Sequence, residues 1–574
     1  MTVPDYITLL LYGIGIFVIS TVAAKRTSNP QDMFAAGGRS PWWASGLSGF
    51  MTMFSAGTFV VWGGVAYEYG LVAILINLCY GVAALLVGYF VAGHWNAIGV
   101  ATPAEYVRLR FGTTGLHFFT WTMLIKRILG VSVSLYALAV MLVALLPFDL
   151  TWTIIVFGAI VVLYTMQGGL WAVLMTDVLQ FIVLTAVVLM VAALMLTRLL
   201  SNDIALQDVP TGFLQPTAAN YGWFFLLGWV IIHFFMIGAE WAFVQRFIAV
   251  KNPHDAKKSC FLFGFMYLLT PALWLLPPLL FRLEQPDVDK EQAYILAAQS
   301  VLPSGIMGLM CAAMFSATAS MVSSQLNVFA GVLTNDFYRP FLNPSANSRT
   351  LLFAGRCFTL LLGAFLIAAA TLVPFLGGAA KLIISINSLL VVPLFAPTLW
   401  GLFSKKVGLR EMMIVALCSF SLGICLRFGV AQNTWITDQS LFGPSKQWLS
   451  NHKETIDLLV GVILPVLMLL SFELAKRSED RGFTILKQHK TENAGMMKPS
   501  NSLRERFDPF PAQMVAFSMF VIGLWISVLA LLNSNHRATV LAVGVSMIAL
   551  AAIVHAGIRR KSREEQLPDI APLP

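Results

Sequence analysis

Charge is what this sequence has least of: only 11% of its 574 residues are Asp, Glu, Lys or Arg, against 58% hydrophobic residues and a mean hydropathy of +0.78. A chain so poor in charge is excluded from the ordinary water-soluble globular classes. Its six cysteines, at 79, 260, 311, 357, 418 and 425, have no Cys-x-x-Cys spacing and fall inside apolar runs. That argues against a disulfide framework or a zinc site and leaves packing as their expected role. A Gly-x-x-x-x-Gly-Lys-Ser/Thr loop is also missing, so ATP is not the evident energy source. His, Cys and carboxylates do not gather at catalytic or metal-ligand spacing, which argues against a membrane enzyme and leaves no cofactor to expect. His94, His117 and His233 read as satisfied by neighbours or headgroups.

Apolar runs of membrane-crossing length are abundant. They predict an all-α polytopic membrane protein with about fifteen spans, near 5–24, 42–67, 71–97, 117–146, 151–167, 177–197, 220–246, 259–281, 303–334, 351–374, 379–403, 409–430, 455–475, 511–533 and 538–557. Placing the N-terminus outside puts the greater part of the 37 Lys and Arg into cytoplasmic loops, including Lys251/Lys257/Lys258, Lys405/Lys406/Arg410 and Arg559–Arg563. The net charge of +9 then reports topology and contact with anionic lipid, and needs no nucleic acid to explain it. Nothing basic precedes the first apolar run, so it is expected to be kept as a helix and not cleaved as a signal peptide. A multi-pass protein of the plasma membrane, C-terminus cytoplasmic and functional as a monomer, is the expectation. The charged segment 476–510 has the composition of a mobile cytoplasmic linker.

One apolar run carries a polar stripe. Ser316, Ser320, Ser323, Ser324 and Asn327 are spaced to share one face of the ninth helix. Such a face points at protein, water or an ion. Small residues as helix–helix contacts and a binding site for dehydrated Na⁺ are the two readings.

Three patterns identify a resemblance. Gly37-Gly-Arg-Ser-Pro-Trp-Trp43 leads into Phe50-Met-Thr-Met-Phe-Ser55-Ala-Gly-Thr-Phe59. Gln167-Gly-Gly-Leu-Trp-Ala-Val-Leu-Met-Thr-Asp177-Val-Leu-Gln180 follows the fifth span, and the serine-rich helix ends in Thr334-Asn-Asp-Phe-Tyr338. Together, with Gln245-Arg246 closing the seventh span, they resemble the sodium:solute symporter family over about residues 5–475. The resemblance implies a leucine-transporter-type core of two five-helix inverted repeats, about 42–197 and 220–403, with the substrate near the membrane midplane. The expected division is 1–41 as a first helix and loop, 42–403 as the transport core, 404–475 as two accessory helices, 476–510 as a basic linker, and 511–574 as two last helices and a tail.

Further implications concern sites. The family's usual sodium site maps to the carbonyls of Met51, Phe54 and Ala317 and the hydroxyl of Ser320. Met321 stands where a second hydroxyl is usual, and a thioether is a poor ligand for a hard cation. A further sodium site known in some members maps to Asp177, Ser320, Ser323 and Ser324. Asp177 reads alternatively as a cap near the start of the sixth span. Substrate positions map to Thr58, Asn77, Glu240 and Ser385; Lys126 or Arg127 is placed to pair with Glu240 or to receive a substrate carboxylate, and Lys381 to line an outer vestibule. The implied function is Na⁺-coupled import of a small polar organic solute (sugar, polyol, amino acid or carboxylate). A proton-coupled carrier using Asp177 or Glu240, and a transporter-like sensor, are the alternatives.

Overall fold

The computed structural model describes residues 1–24, 40–165, 170–201, 209–218, 221–425, 453–496, 509–533 and 536–564. Nearly all of them are helical, as a backbone surrounded by hydrocarbon requires: a helix satisfies its own N–H and C=O groups. The quoted motif residues Gly37–Arg39 and Gln167–Gly169 lie outside the described residues.

In chain order the helices begin with α1 (Val3–Ala24), α2 (Trp42–Met53), α3 (Thr58–Tyr69), α4 (Val72–Phe90), α5 (Ala92–Ile98) and α6 (Pro103–Val143). They continue with α7 (Leu150–Thr165), α8 (Leu170–Ser201), α9 (Trp223–Ala239), α10 (Trp241–Ile248), α11 (Pro253–Leu269), α12 (Pro271–Glu284) and α13 (Ala293–Val301). The serine-rich α14 (Ile306–Val332), then α15 (Ser348–Leu372), α16 (Ala379–Ile386), α17 (Val392–Phe403) and α18 (Leu409–Ile424) follow. The last are α19 (Lys453–Leu458), α20 (Leu464–Ala475), α21 (Arg481–Met496), α22 (Phe510–Leu532) and α23 (Arg537–Glu564).

Ten described helices are long and apolar enough to cross a membrane, twelve when each of two bent pairs counts as one crossing; Val3–Val18 and Leu150–Leu163 are shorter apolar stretches. The bent pairs are α2/α3, turned by 59°, and α9/α10, turned by 54°. They fall in the helices expected to open the two five-span sets. A third discontinuity joins α16 to α17, where Asn387–Val391 winds as a π-helix.

Close backbone contacts hold the bundle. Gly81 on α4 and Gly264 on α11 face each other so closely that a Cβ on either would stand 2.9–3.0 Å from the other's carbonyl oxygen. Small residues at such crossings are how membrane helices gain packing without a hydrophobic drive. Asp5 of α1 is buried and accepts N–H bonds from Gly305 and Gly308 at 2.7 and 2.9 Å, satisfying otherwise orphaned donors at the N-terminus of α14.

Residues 476–496 of the segment expected as a mobile linker depart from that expectation. Residues Arg481–Met496 form a helix, and Arg110 of α6 ties it in. This buried guanidinium donates to the carbonyls of Gly401, Ser404 and Val407 at 3.0, 3.1 and 2.7 Å, and pairs with Asp480 just before α21. Composition alone suggested mobility; the anchor is a tertiary partner on another helix. Cysteines 357, 418 and 425 are exposed and only 79, 260 and 311 are buried, so packing accounts for half of them.

Candidate functional site

Phe54 breaks the helix between α2 and α3 by taking extended backbone angles (φ −94°, ψ 127°). Hydroxyls take over the hydrogen bonds that the break leaves open. Ser55 N–H donates to Thr58 Oγ1 (3.3 Å), Gly57 N–H to Ser55 Oγ (3.1 Å), and Ala56 N–H crosses to Thr318 Oγ1 of α14 (3.0 Å). Gly57 is needed here: a Cβ would press on Ser55 Oγ and Ser134 Oγ at 3.1 and 3.3 Å. Thus a polar sequence of small residues allows an unwound turn to persist at membrane depth.

The second break centres on Glu240, also extended (φ −70°, ψ 130°), whose carbonyl accepts the first N–H bonds of α10 from Phe243 and Val244. Between the two breaks lies a cavity of about 100 Å³, room for several waters or a small solute. Residues around the first break (Ser55, Gly57, Thr58) line it, facing Lys126, Arg127 and Ser134 of α6, with Glu240, Tyr80, Tyr267, Trp62, Met321 and Asn387 completing the wall. Arg127 contacts Glu240 Oε1, and Lys126 Nζ stands 3.7 Å from Oε2.

Of the expected substrate positions, the structure therefore brings Thr58, Arg127 and Glu240 together, with Lys126. Asn77 is buried elsewhere, its amide donating to Ala73 O at 2.9 Å within its own helix. Ser385 donates to Lys381 O at 2.6 Å and does not line the cavity, and Lys381 is exposed. Ile383 and Asn387 line it in place of Ser385. Those two lie four residues apart on one helix face, and position 385 points away from both. Asn387, Ser55, Ser134 and the aromatic wall were missed by sequence reasoning; an isolated Asn in an apolar span was the available signal.

A second cluster lies where α2, α8, α10 and α14 meet. Asp177 accepts bonds from Ser320 Oγ and Ser48 Oγ, both at 2.5 Å, and its Oδ2 is 3.7 Å from Arg246. Arg246 donates to Ser48 Oγ (3.2 Å) and Ala242 O (2.7 Å). All four side chains are buried. Because α8 begins at Leu170, Asp177 sits two turns inside it and is no cap. Along the stripe, Ser316 Oγ accepts from Gln180 (2.8 Å), buried Ser323 accepts from Asn327 (3.5 Å), and Ser324 is half-buried. The hydroxyls that bond Asp177 are thus those of Ser48 and Ser320, while Ser323 bonds Asn327 instead.

At the position of the usual sodium site, Met51 O accepts the N–H of Phe54 at 3.0 Å, which leaves its second lone pair. Ala317 and Ser320 are buried on the facing helix. The Met321 sulfur accepts from Ser134 Oγ at 3.9 Å, so the thioether faces the cavity and supplies no oxygen.

Comparison with known proteins follows the same lines. A model of the sodium:solute symporter family matches residues 33–418. The chain is 26% identical over 468 residues to a sodium/glucose cotransporter of Vibrio parahaemolyticus, covering 75% of this chain and 84% of that one. It is 24% identical to a sodium/sialic acid symporter of Aliivibrio fischeri, covering 74% and 87%. Among solved structures, that of a Na⁺-coupled sialic acid symporter in a substrate-bound outward-open state superposes with a TM-score of 0.62 at 21% identity, covering 81% of this chain and 98% of that one; the likeness is one of fold.

Proposed function

Because this chain belongs to the sodium:solute symporter family, we propose that it imports a small polar organic solute with Na⁺ by alternating access, the solute binding in the cavity between the two helix breaks. The observation that carries this reading is the convergence of both breaks on one polar cavity in an apolar bundle. Broken helices are tolerated at membrane depth where they line a cavity, and their freed ends bind ions and polar groups. We read α2–α8 and α9–α17 as the two inverted five-span sets, each opened by a bent helix. The relatives support Na⁺ as the coupling ion, since they are named for sodium-coupled glucose and sialic acid transport.

Two Na⁺ positions are proposed. The carbonyls of Met51, Phe54 and Ala317 with Ser320 form one, short of an oxygen at Met321. Asp177, Ser320, Ser323 and Ser324 form the other, a reading supported by the buried carboxylate of Asp177 and the bond it accepts from Ser320. Ser320 is common to both: a hydroxyl that donates to Asp177 keeps two lone pairs for a cation. Uptake by proteoliposomes of the purified protein, with and without an inward Na⁺ gradient at fixed pH, tests the proposal. Accumulation that follows Na⁺ supports it; accumulation that follows pH and ignores Na⁺ favours a proton-coupled carrier. We further propose a plasma-membrane monomer with its N-terminus outside and its C-terminus in the cytoplasm, an orientation supported by the basic residues of the loops.

A further inference from the structure

The charges around the central cavity do not cancel. Among the described residues that line it, Lys126 and Arg127 are basic and Glu240 is the one carboxylate. That carboxylate is divided between them, Oε1 to Arg127 and Oε2 to Lys126. Among the described residues the Lys126 ammonium also meets the Met236 sulfur at 3.9 Å and the Phe395 ring at 5.3 Å, neither of which is an anion. Both basic side chains are withdrawn from solvent, with only 4% and 14% of their surface exposed. The carboxylate of Asp177 does not help, because it is held by its own guanidinium, that of Arg246.

Counted with every ionisable side chain in its charged form, one positive charge is left over in a small cavity inside an apolar bundle. Such a charge is expensive at membrane depth unless an anion meets it. A neutral solute would leave it unmet and a cationic solute would double it. The rest of the wall suits a hydroxylated body: hydroxyls at Ser55, Thr58 and Ser134, an amide at Asn387, and the rings of Tyr80 and Tyr267. Resting on the symport reading above, we propose that the transported solute is a small hydroxylated monocarboxylate of the sugar-acid or hydroxy-acid class, its carboxylate received between Lys126 and Arg127.

Matched pairs that differ at the acid group, glucuronate with glucose and gluconate with sorbitol, test this by direct binding to the full-length protein in nanodiscs. In Na⁺ the acid of a pair is expected to bind at least about tenfold more tightly, the size of one charge-assisted hydrogen bond. Lys126→Gln should abolish that preference, and Lys126→Arg should keep it, with thermal unfolding reporting that both variants are folded. Equal or tighter binding of the neutral member, binding of no acid at all, or an acid preference undiminished in folded Lys126→Gln overturns the proposal. Repeating the measurements with choline in place of Na⁺ separates the two readings. Acid binding indifferent to Na⁺ tells against symport and leaves the charge inference standing, whereas Na⁺-stimulated binding of neutral members alone does the reverse.

Discussion

Asp177 and Arg246 lie 69 positions apart in the chain and 3.7 Å apart in the fold. An ionised carboxylate this deep needs a cation, and Arg246 meets that need without any bound ion. A Na⁺ at Asp177 would then act by competing with the guanidinium. Asp177→Asn is expected to lower stability by about 3–5 kcal/mol, because it strands a buried guanidinium. Asp177→Asn combined with Arg246→Gln should recover part of that loss while leaving Na⁺ activation weak, as coupled neighbours do. Thermal unfolding and Na⁺-dependent uptake of the three variants check this, and a double variant no more stable than either single change rules the coupling out. Met321 supplies a second residue-scale prediction. Replacing its thioether by the hydroxyl of Met321→Ser should raise apparent Na⁺ affinity. No gain in a folded variant would mean that the usual site is unused or already complete.

At the scale of helices, two devices hold this bundle, and each makes its own prediction. The α4–α11 crossing relies on mutual backbone approach at Gly81 and Gly264. Gly81→Ala places a methyl 2.8 Å from the Leu268 side chain and 2.9 Å from a carbonyl oxygen, and should destabilise by about 1–3 kcal/mol through overpacking. Gly557, where an added methyl would meet nothing within 4 Å, serves as control: Gly557→Ala should be neutral or stabilising by up to about 1 kcal/mol. Similar unfolding temperatures for the two would remove the crossing as a constraint. The second device is the Asp5 cap that joins α1 to α14. Asp5→Ala should cost about 1–2 kcal/mol as a lost helix cap, read as a lower unfolding temperature of the whole protein with its fold intact.

For the molecule as a whole, symport requires that ion and solute favour the same state. The elements that form the candidate ion positions also wall the cavity: the α2/α3 break contributes Met51 and Phe54 to one and Ser55 and Thr58 to the other, and α14 contributes Ser320 and Met321. Saturating Na⁺ should therefore raise solute affinity, and saturating solute should raise Na⁺ affinity by the same factor, about 5–150-fold for a typical coupling free energy. Titrations of each ligand in the absence and presence of the other measure the two factors. Independence of the two ligands would separate the cavity from the ion positions.

The sequence by itself determined that this is a helical membrane protein of the sodium:solute symporter family, because run length, charge poverty and the Thr-Asp-x-x-Gln and serine-stripe motifs are local properties written residue by residue. The helix breaks were not written there in the same way: Ser55-Ala-Gly-Thr58 and Glu240 stand at them, but small or polar residues in an apolar span do not by themselves announce an unwound turn. Other features were decided only by tertiary structure. The sequence offered Glu240 two cationic neighbours without dividing its carboxylate between them, gave Asp177 no visible Arg246, and presented residues 481–496 as a linker when Arg110 anchors their start. It also set Ser385 in the pocket where Asn387 belongs. The reason is common to all four: a helix presents each side chain to a neighbour chosen by crossing geometry and rotation about its axis, and neither is encoded within a single span.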